Sequence, residues 1–169
     1  MKKYTMFALV AIVCLTSVSL VMAGSREYAP VVQTPSMETG YVERLVHSDK
    51  GYSLDFDSIE WYEGDAATAK FREREGDSGL DAPPDGYYIV NDDPSVKTLP
   101  IADDAVVLMQ IYDRDGHAAN ADIQWDEQIS LAAFAEHFSK DESIKLKDFP
   151  YHITVKDGKV VRIVQQYIP

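Results

Sequence analysis

Apolar and polar residues alternate over much of this chain with the two-residue period of a strand. Tyr52, Leu54 and Phe56 alternate with Ser53, Asp55 and Asp57, so one face of the segment is greasy and the other wet. Residues 41–47 precede it as a second extended run. Ser48-Asp49-Lys50-Gly51 lies between them, with glycine where a positive φ is wanted. The two runs therefore predict a hairpin. A second hairpin is predicted near the C-terminus, where Asp157-Gly158 joins 151–155 to 160–167. That dipeptide calls for a type I′ turn with Val155 opposite Val160.

Between the hairpins the pattern changes repeatedly. Residues 59–62, 87–90, 96–101 and 123–125 read as short extended pieces, with acidic turns at 91–94 and 103–104. Residues 105–112 form a nearly unbroken apolar run, which predicts a strand buried on both faces. Two segments have helical spacing. Residues 66–74 follow Asp65, read as an N-cap. Residues 131–139 follow Ser130 and put Leu131, Phe134, Ala135 and Phe138 on one stripe. Ile129 and Phe134 there have the spacing of a hydrophobic staple. Residues 75–86 and 113–120 are polar loops. About seven short strands with two short helices predict an α+β fold, mainly antiparallel β, and a small, partly open barrel limits its exposed edges.

The N-terminus has a different character. Met-Lys-Lys opens it, an apolar run extends from Met6 to Val21, and Val21-Met22-Ala23 offers the small exit that a signal peptidase reads. The expected organisation is a signal peptide at 1–23, a flexible leader at 24–39 and a single β-rich domain at 40–169. Export to the periplasm, cell surface or medium follows. Two rival readings of the same run are an uncleaved membrane anchor and a lipoprotein at Cys14. Val13 before that cysteine and the apolar residues after it disfavour lipidation. Cys14 is the single cysteine, so the mature domain has none and relies on its core instead of disulfides.

Charge narrows the choice of partners. The chain carries 16 Lys plus Arg against 28 Asp plus Glu. Cleavage removes Lys2 and Lys3, leaving 14 bases against 28 acids and a formal charge of −14. Such a surface repels nucleic acid and anionic lipid. Contact with a membrane is then expected only through the signal segment, if it stays uncleaved.

Gly40-Tyr41-Val42, Glu60-Trp61-Tyr62-Glu63-Gly64-Asp65-Ala66, Gly86-Tyr87-Tyr88-Ile89-Val90-Asn91 and Thr98-Leu99-Pro100-Ile101 resemble a group of uncharacterised exported bacterial proteins. The likeness extends through the helix at 131–138 to the Thr-Val-Lys-Asp-Gly hairpin and the Gln166-Tyr167-Ile168-Pro169 close. It spans about residues 40–169 and implies export and architecture, not chemistry. The layout, hairpin first and hairpin last, is also similar to an OB-type barrel, a fold that commonly binds oligonucleotides or oligosaccharides on one face.

No assembled catalytic signature stands out. Asp113-Arg114-Asp115-Gly116 with Asn120 and Asp122 hints at a calcium loop, but glycine falls at position 4 and Gln124 at position 12, so the EF-hand pattern fails. His47, His117, His137 and His152 lack metal-ligand spacing, and neither a nucleophile elbow nor a phosphate loop occurs. No metal or cofactor is therefore assigned. Exposed rings near strand ends can stack on sugars or peptides, which selects Trp61, Tyr88, Asn91 and Trp125 as candidate binding residues. The expected function is a non-enzymatic exported domain that binds a small ligand, a glycan or an envelope protein. The alternatives are a small secreted hydrolase whose site assembles only in the fold, and a calcium-stabilised envelope protein.

Overall fold

The computed structural model describes residues 29–115, 117, 121–140 and 143–168. The segment read as a signal peptide, with Cys14, the start of the segment read as a leader, Gly116, Asn120 and Pro169 lie outside the described residues. In chain order the elements are β1 (Met37–Ser48), β2 (Gly51–Glu63), α1 (Gly64–Arg74), β3 (Tyr87–Val90), β4 (Val96–Met109), β5 (Glu127–Ile129), α2 (Leu131–Ser139), a 3₁₀ turn (Leu146–Asp148), β6 (Pro150–Lys156) and β7 (Lys159–Gln165). Among the described residues no helix is long and apolar enough to cross a membrane.

Five strands close into a mixed barrel. The ladder runs β2-β1-β6-β7-β4, and β4 returns to pair with β2. Among the described residues only β4 and β7 pair in parallel. β3 extends β2 at one margin and β5 extends β4 at the other. The expected α+β, OB-like small barrel is thus present, with two short helices and with the ring closed instead of partly open. One long strand makes closure possible. β4 pairs with β2 through Val96–Pro100, shifts register between Ile101 and Val106, and then pairs with β7 and β5. Such an irregularity bends a strand and lets it serve two neighbours. Asp103 and Asp104, read as a turn, lie inside this bend.

Both hairpins have the expected pairing. Ser48 faces Gly51, whose φ is 95°. Val155 faces Val160, and Asp157 and Gly158 take φ of 52° and 75°, the two left-handed residues of a type I′ turn. The two segments of residues 51–63 merge into one strand. β1 starts at Met37, three residues before Gly40, and its first residues pair with Ile153 and Thr154 of β6. The sheet therefore takes in the end of the segment read as leader.

One core unites these parts. Val107, Met109 and Tyr112 from the apolar run meet Leu131 and Phe134 of α2, together with Leu54, Phe56, Tyr151 and Ile163. Phe134 is fully buried between Phe138 and Tyr151, with ring centroids at 5.6 and 5.7 Å. Ser130 caps α2 by accepting the Ala133 N–H at 3.1 Å. Helix α1 differs from its sequence reading. It starts at Gly64, its cap position is Glu63, and no side chain caps it. Asp65 sits within its first turn. The expected strand at 123–125 instead forms at Glu127–Ile129.

Candidate functional site: an aromatic cleft at the β2–β3 margin

Strand alternation sorts the candidate residues onto two faces. Trp61 lies opposite Ile89, and Tyr62 lies opposite Tyr88. Trp61, Glu63 and Tyr87 therefore share one face of the β2–β3 ribbon, and Tyr62 and Tyr88 share the other. Helix α1 packs on the second face. Phe71 meets the Tyr88 ring edge-on at 5.6 Å, and the Tyr88 hydroxyl donates to Glu75 at 2.8 Å. Tyr88 is thereby committed to holding α1. Asn91 donates to the Asp57 carboxylate at 2.7 Å. Neither Tyr88 nor Asn91 lines the two compartments that Trp61 lines.

Trp61 belongs to another constellation. Its ring stacks on Tyr87 with centroids 4.8 Å apart and planes 16° from parallel. These two rings, Glu63, Asp85, Gln166 and Tyr167 line an open cleft of about 310 Å³, with Pro30 on its rim. Trp125 meets Tyr167 edge-on at 5.6 Å, so the second candidate tryptophan backs the cleft without lining it. A smaller compartment of about 200 Å³ shares Trp61, Glu63 and Gln166 and reaches His152, Val31 and Gln33. Two of the four candidates, Trp61 and Trp125, thus converge on one place.

His152 forms the floor, and sequence reading passed over it. It is 1% exposed. Its Nδ1 lies 2.8 Å from Thr39 Oγ1 and 3.2 Å from Gln33 Nε2, and its Nε2 lies 2.8 Å from Gln166 Oε1. Gln166 spends its own amide N–H on the Tyr167 carbonyl at 2.8 Å, so its oxygen accepts from the histidine. The neutral ring with hydrogen on Nε2 follows, and Nδ1 accepts from Thr39 and Gln33. Burial lowers the His152 pKa, against smaller opposing effects of the Gln166 bond and the Glu63 charge. The Tyr87 phenol is raised, first by burial and then by the Asp85 charge. The Trp61 indole N–H is buried and has no partner among the described residues.

The segment read as flexible leader supplies part of the cleft. Gln33 reaches His152, Ser36 accepts the Val155 N–H at 3.0 Å, and Pro30 and Val31 line the two compartments. The signal for Gln166 and Tyr167 was present in the sequence as a polar-aromatic pair just after the last apolar run. The signal for His152 was absent, because its partners lie ahead of β1, on β1 and beyond β7.

The loop that hinted at calcium is organised by an internal cation. Arg114 donates through Nε to Glu127 at 2.7 Å and through Nη1 to the Asp122 carbonyl at 2.8 Å, over the Tyr112 ring at 4.5 Å. Asp113 is 3% exposed. Among the described residues no three His, Cys, Asp or Glu side chains are grouped to hold a metal. No family model matches this chain, and neither a curated protein nor a solved structure does.

Proposed function

We propose that this protein is an exported, non-enzymatic binding domain whose aromatic cleft takes a neutral glycan. The observation that carries this reading is the Trp61–Tyr87 stack in one open cleft with Tyr167, beside the side chains of Glu63, Asp85 and Gln166. Aromatic faces pack against the C–H faces of sugar rings, and carboxylates and amides accept or donate to their hydroxyls. His152 favours binding over turnover. A general base needs a free nitrogen facing substrate, and both nitrogens here are occupied within the fold. The N-terminal signal pattern and the resemblance to exported bacterial proteins support a location outside the cytoplasm, where glycans are abundant ligands.

The test is calorimetric titration of the mature protein with chitotetraose, cellotetraose and xylotetraose. At least one should bind, and Tyr167→Ala and Trp61→Ala should each weaken it by roughly tenfold or more, the scale of an aromatic anchor. Absence of binding to all three, or affinity unchanged in both variants, rejects the reading. Hydrolysis of any of them by the wild type, lost on Glu63→Gln, would favour the hydrolase alternative.

A further inference from the structure

We propose a second binding site, for a small amphipathic anion, in the basic hollow between β1, the end of α2 and the 3₁₀ turn. The hollow measures about 460 Å³, within the range of small-molecule sites. It lies apart from the aromatic cleft and shares no lining residue with it. Its rim carries Arg44, Lys140, Lys145 and Lys147. Those are four of the 16 Lys and Arg in a chain with 28 acids, so a random surface hollow would carry more carboxylates than cations. Among the described residues of the lining, Glu43 is the single acid.

Local pairing leaves part of this charge unspent. Arg44 is tied to Asp55 at 2.7 Å, and Lys140 to Glu136 at 2.9 Å. Lys145 and Lys147 are exposed and make no ion pair among the described residues. They stand two residues apart across Leu146, which is 3% exposed and anchored in the core. The 3₁₀ turn fixes their backbones by the Asp148 N–H to Lys145 carbonyl bond at 3.0 Å. Two held lysines can converge on a phosphate or carboxylate as point charges. The floor is apolar, formed by Leu45, Phe138 and Leu146. A hydrated inorganic anion would leave that floor wet. An anion joined to an aliphatic or ring portion uses both parts of the hollow, and lysine stems add apolar surface to it.

The probe is octyl phosphate below its micelle concentration, with octyl glucoside and inorganic phosphate as controls, measured by calorimetry on the mature protein. Octyl phosphate should bind more tightly than either control and weaken as salt is raised. The double variant Lys145→Ala, Lys147→Ala should weaken it by roughly tenfold or more, and Lys145→Arg, Lys147→Arg should restore it. Affinity for the tetrasaccharide that binds best should stay unchanged in both variants, which separates this site from the cleft. Equal binding of octyl glucoside, or octyl phosphate affinity untouched by the alanine pair, overturns the proposal. Co-sedimentation with phosphatidylglycerol vesicles, lost in the alanine pair, would assign the anion to a lipid headgroup. Octyl phosphate binding without sedimentation would assign it to a free amphiphile.

Discussion

His152 shows at the scale of one residue how the cleft constrains stability. Protonation would place hydrogen on Nδ1, the atom that accepts from Thr39 and Gln33. Burial holds its pKa below the ordinary 6.5, so the unfolded chain binds this proton more readily than the folded one. The contribution is therefore complete above pH 6.5 and is lost as pH falls from there toward the lowered folded value. Within that window stability should drop by up to about 1.4 kcal/mol per pH unit. Urea melts between pH 7.5 and 5 check this. The fall should flatten in His152→Asn, and an identical fall in both proteins would assign it to other groups. Gly40 gives a steric counterpart. A Cβ there would collide with the Asp57 carbonyl and come within 2.7 Å of the Phe56 ring. Gly40→Ala should cost roughly 2–3 kcal/mol, read as a lower urea midpoint.

Elements differ in how openly the sequence declares them, and local causes explain the difference. The two hairpins and α2 were legible because their signals lie within a few residues. Gly51 and the Asp157-Gly158 pair supply positive φ, and Ser130 precedes a stripe ending at Phe138. Ser130→Ala should remove the cap bond and cost about 1 kcal/mol. Gly158→Ala, at φ 75°, should cost about 1–2 kcal/mol, both measured by chemical denaturation. β4 was hidden because Asp103-Asp104 carries the composition of a turn while sitting in a bent strand. The start of α1 was misread for a related reason. Gly64 turns into the helix at φ 56°, so Asp65 falls two positions past the Glu63 cap, too late to cap it. The candidate site was half legible. Ring-rich strand ends pointed to Trp61 and Trp125, but which face each residue occupies depends on the β2–β3 register. That register put Tyr88 against α1 and left Trp61 to the cleft.

At the scale of the molecule, closure depends on pairings far apart in sequence. β2 meets β4, β4 meets β7 and β1 meets β6, and no local pattern announces any of them. These contacts bring residues 30–33, the β2–β3 margin and Gln166-Tyr167 to one side of the barrel, which is how three separate segments build one cleft. Phe134→Ala removes a fully buried ring shared by α2 and the barrel, and it should cost about 3–5 kcal/mol. A loss below about 1 kcal/mol would contradict a single shared core. The chain contains two tryptophans, so the side-chain region of a ¹⁵N–¹H spectrum holds two indole signals, assigned with Trp125→Phe. Titration with the tetrasaccharide that binds best should move the Trp61 indole signal strongly, while amides of Val107, Phe134 and Ile163 in the core stay still. A saturating titration that leaves the Trp61 indole signal in place would show that sugar does not enter the cleft.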